Sequence, residues 1–521
     1  MYVAGVQHNV LERDMFLHSN VPFELNNLTA VIMAEQEKGA QLKTRILVAN
    51  RGEIAIRLIR AIQELDYEAI AVYETPDEMS RHIRIADEAI LLGDGPRCDY
   101  LDIDKVIRAA KKAGALAIHP GYGFLAENPF FAKACEAADL IFIGPGSDII
   151  SNLGNKVVAR QIMAEAGIPM VPGTDNLSQG QDGIDDALMF GDTYGYPVML
   201  KATSGGGGRG IRRIEGPGQM AKEIPVARAE ALAAFNDDSV YLEKVVIDPK
   251  HVEVQILADS FGKTLHLGTR DCSIQRRNQK LIEIAPSMIK NAKLLDEICE
   301  TAVKAATAAN YLNAGTVEFL IDQEGNYYFM EINTRVQVEH TVTEMITGID
   351  IVRNQINIAF GKPLSFDQSD VKVRGHAIEV RINAEDPKND FMPEGGKKVS
   401  VYRSTGGFGV RLDGFVYQGY VIPEVYDSLL VKLTVHGFTW EETVGRLKRC
   451  LKNFVIRGPK TTIPFYENIA NEKDFVSGDF DTSYIDTHPH IFHYDDDPSE
   501  VGKLARFIAE LQYRQENPFV K

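Results

Sequence analysis

A lysine, four consecutive glycines and an arginine occur together in the segment 201–210, Lys201-Ala-Thr-Ser-Gly-Gly-Gly-Gly-Arg-Gly210. Because glycine has no Cβ, the backbone N–H groups of such a run can approach phosphate oxygens closely. Lys201 follows a short strand-like stretch, so its ammonium group can reach a nucleotide phosphate. The spacing is not that of a Walker loop, and the alternative is a flexible linker. The bracketing charges favour a nucleotide-binding loop that closes as a lid.

Two acidic residues, Glu318 and Glu331, lie in two strand-like segments, the second of which ends at Asn333. The intervening Gly325-Asn326 predicts a hairpin turn between the segments. Carboxylate and amide oxygens are the ligands that Mg²⁺ takes where it bridges nucleotide phosphates. The alternative is a pair of solvent-facing acids.

A dense polar run, 333–340, follows at once and contains Arg335 and Glu339. Burying such a run is costly unless its polar groups have partners or a function. The fork of donors on Arg335 can hold an anion, and Glu339 is a candidate general base. The alternative is a charged loop with internal salt bridges.

The segment 270–280 is rich in cations near its end, with Arg276, Arg277 and Lys280 close together. Such a cluster favours a small anion such as bicarbonate or phosphate. The alternative is a solvated basic turn.

Strand-like and helix-like segments alternate regularly from Arg45 onward. The predicted strands are 46–49, 69–73, 116–118 and 140–143, and the predicted helices are 53–65, 103–113 and 129–137. This alternation predicts a mostly parallel sheet covered by helices. Ligands bind such sheets beyond the carboxyl ends of the strands, where the loop 119–124 falls. A further helix is predicted at 501–511.

The chain has 521 residues, of which 45% are hydrophobic and 25% charged. At about 100–200 residues per domain, this length predicts three or so packed units. The net charge of −17 argues against nucleic acid as a partner, because duplex binding needs Lys and Arg. No apolar run approaches the ~18 residues needed to cross a bilayer, and no signal peptide is recognisable. Five widely spaced cysteines fit a reducing compartment, so we expect a cytoplasmic protein.

Taken together, these motifs resemble biotin carboxylase, a family of the ATP-grasp superfamily, over residues 43–490. The segments 48–55, 119–128 and 379–386 add to the resemblance. It implies an α/β fold with an N-terminal open parallel-sheet domain, an ATP-grasp domain with a mobile glycine-loop lid, and a C-terminal α+β domain. The implied boundaries are 1–42 for a partly disordered N-terminal extension, 43–155 for the first domain, 156–372 for the ATP-grasp domain with its lid at about 173–245, 373–490 for the C-terminal domain and 491–521 for a tail.

The resemblance also implies a reaction. ATP would phosphorylate bicarbonate to carboxyphosphate, which would break down to CO₂ and phosphate, and the ureido nitrogen of biotin would be carboxylated. The implied catalytic residues are Glu339 as base, Arg381 to steady the enolate-like biotin, Lys280 and Arg335.

Binding residues follow from the same resemblance. Those for ATP are Lys156, Lys201, Gly205, Gly206, Gly207, Gly208, Glu243, Lys244, Val246, His251, Gln275, Asn278 and Leu320. Those for bicarbonate are Lys280, Arg335, Gln337 and Val338. Those for biotin are Tyr122 and Arg381, and those for Mg²⁺ or Mn²⁺ are Glu318, Glu331 and Asn333.

Three positions depart from the family pattern. Asn278 stands where His is usual, Asn155 where Asp is common, and Val245-Val246 where an aromatic–aliphatic pair is typical of the adenine hinge. Backbone atoms can bind adenine there, so the last change is tolerable. The change at Asn278 puts a local nucleotide or anion contact in question, but not the reaction.

The sequence contains no Met-Lys dipeptide, the core of the usual biotin attachment motif, and it ends before any carboxyltransferase domain. We therefore expect biotin on a separate carrier protein and a separate carboxyltransferase subunit. The segment 408–411, with Arg60 and Glu64, resembles the dimer contact of acetyl-CoA carboxylase subunits and predicts a homodimer. The segments 457–466 and 480–489 instead resemble pyruvate carboxylase, which leaves the acyl acceptor open.

Two other functions share part of this pattern. A different ATP-grasp ligase, of carbamoyl-phosphate or purine-pathway type, would keep the lysines, the glycine loop and the metal acids. It would not need the 379–386 strand together with Tyr122. A catalytically silent nucleotide-binding subunit would be expected to have lost Glu339, Lys280 or Arg381, and all three are present.

Overall fold

The computed structural model describes residues 43–93, 99–203, 211–235, 237–494, 508–509 and 511–512. The predicted extension 1–42, the glycines 205–208 and most of the tail lie outside these residues. Of the tail helix predicted at 501–511, the described positions are helical. Within the described ranges, no helix is both long and apolar enough to cross a membrane.

The first sheet has five parallel strands: β1 (Arg45–Val48), β2 (Glu68–Glu74), β3 (Glu88–Gly93), β4 (Ala117–His119) and β5 (Ile141–Phe142). Their order is β3-β2-β1-β4-β5. Leu47 packs into the core on one face of the sheet, whereas Ile46 and Val48 pack into the core on the other. Burial on both faces explains the unbroken apolar run. The strand order reverses between β1 and β4, the point at which such sheets bind ligands.

Five helices accompany this sheet: α1 (Gly52–Glu64), α2 (Arg81–Ile85), α3 (Ile103–Lys112), α4 (Pro129–Ala137) and α5 (Ser147–Gly154). Asp102 and Asn128 cap α3 and α4, because their side chains accept hydrogen bonds from first-turn backbone N–H groups. The strands and helices predicted for this part of the chain are confirmed, with ends shifted by one residue at most.

A small antiparallel sheet follows the helix α6 (Lys156–Glu165). Its elements are α7 (Gly180–Tyr194), β6 (Val198–Ala202), β7 (Ile211–Ile214), α8 (Met220–Phe235) and β8 (Val240–Lys244). The strand order is β7-β6-β8. Val198, Leu200 and Leu242 pack against Phe190 of α7 and Ile224 of α8, so the unit has its own apolar core.

The remaining strands are β9 (Lys250–Ala258), β10 (Thr264–Asp271), β11 (Gln275–Arg276), β12 (Gln279–Lys280), β13 (Ile282–Ala285), β14 (Asn313–Ile321), β15 (Tyr327–Asn333), β16 (His376–Asn383), β17 (Glu385–Asp386), β18 (Met392–Pro393), β19 (Val401–Arg403), β20 (Val410–Gly414), β21 (Leu429–Gly437) and β22 (Val455–Arg457). Eight of them form one sheet in the order β15-β14-β9-β10-β13-β16-β21-β20. The pairing of β13 with β16 joins strands from the predicted ATP-grasp and C-terminal segments.

The remaining helices are α9 (Ala292–Ala308), α10 (His340–Thr347), α11 (Ile351–Ala359), α12 (Trp440–Asn453), α13 (Ile463–Asn471), α14 (Lys473–Ser477) and α15 (Tyr484–Thr487). Helix α9 covers the β9–β14 end of the sheet, and α12 and α13 cover the β16–β21 end. Short 3₁₀ turns lie at Thr75–Asp77, Asp99–Leu101, Pro217–Gln219, Gln368–Asp370, Pro387–Asn389 and Pro489–Phe492. On the opposite face, α10 and α11 pack against part of the sheet, and polar side chains occupy the rest.

Candidate active site

The ammonium group of Lys280, on β12, lies at the centre of a cluster of buried acids. Its Nζ donates hydrogen bonds to Glu253 Oε2 (2.7 Å), Glu318 Oε1 (2.8 Å) and Glu339 Oε1 (2.8 Å). Glu253 comes from β9, Glu318 from β14 and Glu339 from the residue before α10. A single lysine thus holds together three elements that are distant in the sequence.

Strand register explains how these acids meet. Arg270, Glu253, Glu318 and Glu331 are direct neighbours on β10, β9, β14 and β15. Residues in register on one face have Cβ atoms roughly 5 Å apart, and like charges there repel. Arg270 Nε forms an ion pair with Glu253, and Lys280 bridges Glu253 to Glu318. The cations therefore offset the repulsion for all members of the row except Glu331.

The pKa values follow this charge distribution. Burial raises the pKa of Glu253, but Arg270 and Lys280 outweigh it and bring the pKa to about 2. Burial likewise acts on Glu318, and Lys280 with His251 holds its pKa well below the ordinary value. Glu331 shifts the opposite way, because burial and the charge of Glu318 both raise its pKa. A cation added beside Glu331 would favour the ionised form.

The oxygens of Glu318, Glu331 and Asn333 lie at the same end of the β14–β15 hairpin. Asn333 Nδ2 donates to Glu318 Oε1 at 2.8 Å, and Glu331 is the strand neighbour of Glu318. The donor set consists of carboxylate and amide oxygens, which suit Mg²⁺ or Mn²⁺. The pKa of Glu331 stays raised although Lys156 opposes the rise, so a further cation would be favourable here and these residues fit a divalent ion.

Arg335 is held in front of this row by three contacts. Its Nε donates to Glu127 Oε2 at 2.8 Å and its Nη1 to Gln337 Oε1 at 2.7 Å. Its Nη2 donates to Asn333 Oδ1 at 3.2 Å. Gln337 Nε2 in turn donates to Glu318 Oε1 at 3.0 Å. Three of the predicted bicarbonate residues, Lys280, Arg335 and Gln337, therefore belong to one hydrogen-bonded network with Glu318 and Asn333.

Glu339 is fully buried between two cations. Lys280 binds one carboxylate oxygen, and Arg381 Nη2 donates to the other at 3.1 Å. Burial raises the pKa of Glu339, but Lys280 and Arg381 outweigh it and leave the pKa below the ordinary value. Arg381 also forms an ion pair with Glu283 of β13. Glu339 is therefore an ionised carboxylate that can accept a proton.

Tyr122 lies in the loop after β4, beside the switch point of the first sheet. Its hydroxyl donates to Glu53, and its backbone oxygen accepts from Asn50 Nδ2 at 2.7 Å. Glu53 and Tyr122 line a cleft together with Phe415 and Asp427 of the C-terminal segment. The predicted biotin residue Tyr122 is thus part of the wall of a cleft, and it also packs against two apolar clusters.

Two of the predicted ATP residues meet in the small sheet. Lys201 on β6 forms an ion pair with Glu243 on β8, and Glu243 also accepts from Arg160 Nη1 at 2.8 Å. Lys244 and Val246 follow at the end of β8. The glycines 205–208 lie outside the described residues.

The other ATP residues lie along the large sheet. His251 Nε2 hydrogen-bonds Glu318 Oε2 at 2.8 Å, and Leu320 is the strand neighbour of His251. Lys156 begins α6, and its charge acts on Glu331. The structure therefore brings His251 and Lys156 to the predicted metal residues.

Gln275 and Asn278 belong to the hairpin that carries Lys280. Gln275 is the strand partner of Lys280, and the turn consists of Arg277 and Asn278 with φ values of 50° and 62°. Two residues in the left-handed region form the turn typical of tight hairpins, and asparagine adopts it readily. Asn278, which departs from the family pattern, therefore suits the backbone conformation of the turn that positions Lys280.

Sequence reasoning missed four charged residues of the site: Glu127, Glu253, Arg270 and Glu283. Arg270 is fully buried and its guanidinium also donates to Gln255, Thr316 and Thr343. An alternating strand such as β9 normally turns its polar residues to solvent, so Glu253 gave no signal by pattern alone. The sequence did contain one signal for these residues. The strands that carry them contain many polar residues, although the residues beside them are all buried.

Three family models match consecutive parts of the chain. They are "Biotin carboxylase, N-terminal domain" at residues 42–150, "Carbamoyl-phosphate synthase L chain, ATP binding domain" at 155–366 and "Biotin carboxylase C-terminal domain" at 379–487.

Curated relatives agree. Biotin carboxylase 1 of Bacillus subtilis is 48% identical over 446 residues, which are 85% of this chain and 98% of that protein. Pyruvate carboxylase of the same organism is 48% identical over 476 residues, and the chain spans only 41% of its length.

Among solved structures, the biotin carboxylase domain dimer of Hydrogenobacter thermophilus 2-oxoglutarate carboxylase, in complex with MgADP, ADP and bicarbonate, is 46% identical with a TM-score of 0.83. The match covers 88% of this chain and all of that one. The fold class predicted from the sequence is thereby confirmed, and the chain belongs to the biotin carboxylase family.

Proposed function

We propose that this chain catalyses the ATP-dependent carboxylation of biotin with bicarbonate, through carboxyphosphate, to give ADP and phosphate. The observation that carries the proposal is the position of Lys280 and Arg381 on the two oxygens of Glu339. This places one carboxylate between a cation for bicarbonate and a cation for biotin. A nucleotide site alone would need neither arrangement.

Glu339 acts as the general base. It is ionised at neutral pH because its pKa lies below the ordinary value. Bicarbonate entering beside Lys280 and Arg335 shares their positive charge, which raises the basicity of Glu339 at the moment of reaction. Deprotonated bicarbonate then attacks the γ-phosphate of ATP, and the carboxyphosphate formed releases CO₂ and phosphate.

The metal residues serve the nucleotide. Glu318, Glu331 and Asn333 would hold Mg²⁺ or Mn²⁺, which supplies charge neutralisation to the ATP phosphates when bound. Lys201, on β6 of the small sheet, contributes a further cation to the nucleotide. Lys156 does so from the start of α6.

Arg381 holds the ureido oxygen of biotin as negative charge develops on it. Fixed donors aimed at developing charge stabilise a transition state strongly, because the protein does not need to reorganise. Glu283 and Glu339 hold the guanidinium from the protein side. Carboxylation of the ureido nitrogen then consumes the CO₂ released in the same site, and the proton that leaves this nitrogen passes to the phosphate released together with the CO₂.

The partners proposed are a biotin carboxyl carrier protein that presents biotin and a carboxyltransferase subunit that takes the carboxyl group onward. The acceptor is acetyl-CoA or a 2-oxo acid such as pyruvate, in line with the relatives. We propose a homodimer, which is supported by the dimeric relative and by the 75% exposed Phe408 in the predicted contact. A cytoplasmic location is supported by four buried, unpaired cysteines among the described residues.

Bicarbonate-dependent ATP hydrolysis by the purified chain tests the proposal, measured with and without free biotin. A biotin carboxylase hydrolyses ATP slowly without biotin and faster with it. Hydrolysis that biotin does not stimulate would favour the other ATP-grasp ligases. Purifying the native complex and identifying its other subunits would establish the acceptor.

A further inference from the structure

Lys432, near the middle of β21, is completely buried. Lysine is rarely buried in full unless its ammonium group is paired, because removing the charge from water is costly. No role has been given to it so far. The groups that contact the ammonium of Lys432 therefore indicate the role of its charge.

The ammonium group of Lys432 contacts three separate parts of the chain. Nζ donates to the backbone oxygen of Val338 at 2.7 Å and lies 3.3 Å from Glu53 Oε1. It also lies 5.8 Å from the centre of the Tyr122 ring. Glu53 and Tyr122 belong to the first domain, Val338 to the loop before α10, and Lys432 to the C-terminal strands. One buried cation thus connects all three units.

The contact with Glu53 leads to the biotin side of the site. Glu53 is buried on α1, and its Oε1 accepts from the Tyr122 hydroxyl as well as facing Lys432. Burial raises the pKa of Glu53, and Lys432 opposes that rise. Without Lys432, the acceptor that orients Tyr122 would lose its countercharge.

The contact with Val338 leads to the bicarbonate side. Val338 directly precedes Glu339, so its carbonyl fixes the backbone from which the base projects. Lys432 is also the strand neighbour of Arg381, on the same face of the sheet. The two cations therefore stand side by side, with Arg381 on the carboxylate of Glu339 and Lys432 on the peptide before it.

We propose that Lys432 is a positioning residue that fixes the biotin contact Tyr122 and the bicarbonate loop at Val338 relative to each other. It acts through Glu53 and the Val338 carbonyl, and touches neither substrate. The inference rests on the proposed function, because it assigns the two ends of the link to biotin and bicarbonate. Disrupting it should affect the use of both substrates and spare ATP.

The test uses the full chain with Lys432→Met and Glu53→Gln combined, so that the carboxylate paired with the ammonium group is neutralised together with it. Free biotin, bicarbonate and ATP are each varied, and thermal unfolding is measured on the same preparation. We expect the KM values for biotin and bicarbonate each to rise about tenfold, with the KM for ATP within twofold of wild type. Lys304→Met, on an exposed position of α9, serves as the control and should match wild type.

A folded double variant whose KM values for biotin and bicarbonate stay within twofold of wild type would overturn the proposal. If the double variant does not fold, Glu53→Gln alone decides. A rise in both KM values supports the link, and a rise for biotin only overturns it. Wild-type protein without biotin-stimulated turnover would overturn the proposed function itself, whereas an active wild type with an unaffected variant overturns only the link.

Discussion

At the scale of single residues, the site contains more carboxylates than cations, and its chemistry depends on which carboxylates the cations contact. Lys280 forms ion pairs with Glu253, Glu318 and Glu339, and Arg381 forms ion pairs with Glu283 and Glu339. Glu331 is left with a raised pKa. Lys280 compensates the charge of Glu318 and Glu339, whereas Glu331, the second carboxylate proposed to bind metal, keeps a raised pKa.

Glu331→Gln should therefore raise the Mg²⁺ concentration that gives half-maximal rate. The substitution removes one of two carboxylates, and Mg²⁺ is held by few carboxylates together with phosphates. Titrating the metal at saturating ATP measures the effect, with Glu324→Gln on the exposed β14–β15 turn as the control. An unchanged metal dependence in the Glu331 variant would remove it from the metal site.

Glu379, fully buried on β16, makes stability depend on pH. Burial raises its pKa from 4.5 to about 8, Lys432 offsets part of the rise, and Glu283 adds to it. Since the folded state holds this proton more tightly, the associated stability is complete below pH 4.5 and is lost as pH rises to about 8. Glu379→Gln mimics the protonated form and avoids this loss.

We therefore expect the melting temperature of Glu379→Gln to exceed that of wild type by about 2 °C or more at pH 8, and to match it more closely at pH 5. Thermal unfolding at the two pH values is the measurement. An equal difference at both would show that the carboxyl group of Glu379 has an ordinary pKa.

The proposed catalytic residues could be named from the sequence because each stands in a compact motif, such as 333–340, that resembles the family pattern. Glu253 and Arg270 could not, because they are 17 positions apart and meet only through strand register. Each looked like an ordinary polar position of a half-exposed strand. Their role depends on a sheet whose pairing the sequence does not display.

At the scale of elements, hairpins place most of the chemistry. The β14–β15 hairpin carries the metal residues and the β11–β12 hairpin carries Lys280. An ion pair holds the turn of the β11–β12 hairpin, where Arg277 Nη2 lies 3.0 Å from Asp390 Oδ2. Arg276 stacks over the Phe391 ring at 4.5 Å. Local sequence predicts the β14–β15 turn, since Gly325-Asn326 falls between two strand-like segments, but not the hairpin at Arg277-Asn278, whose flanking residues are polar.

Asn278→Val should disturb the Lys280 hairpin, because a β-branched residue is disfavoured at the φ of 62° found there. The left-handed conformation costs roughly 1–2 kcal/mol per residue for such side chains. We expect the KM for bicarbonate to rise several-fold as Lys280 shifts. Steady-state kinetics with bicarbonate varied is the measurement.

Asn278→Gly is the matched control, because glycine accepts the same backbone conformation. It should keep the bicarbonate KM of wild type. If instead it raises the KM for ATP, the side chain of Asn278 itself contacts nucleotide and the backbone explanation is wrong.

At the scale of the whole molecule, one eight-stranded sheet runs from the nucleotide residues to the biotin residues. The sequence predicted three units but not this continuity, because the pairing of β13 with β16 joins segments about ninety positions apart. Parallel βα units are visible in local periodicity, whereas long-range antiparallel pairing is not.

The proposed homodimer also concerns the molecule as a whole. Phe408 is 75% exposed, with Arg446 stacked on its ring, in the segment that predicts the contact. Phe408→Asp should shift the protein toward monomer at micromolar concentration, because a charge in a buried interface is costly. Analytical ultracentrifugation measures this, with the 66% exposed Phe261→Asp as control. Equal shifts in both variants would exclude a specific contact at Phe408.

The most direct test of the central claim is the transfer of labelled bicarbonate onto free biotin by the purified chain with Mg-ATP, comparing wild type with Glu339→Gln. The variant keeps the size of the side chain and removes the base. We expect the wild type to form carboxybiotin and the variant to form it at least ~10² more slowly. The KM for ATP should be little changed in the variant. Carboxybiotin formation by the variant within a few-fold of wild type would contradict the role of Glu339, and none from wild type would contradict the function.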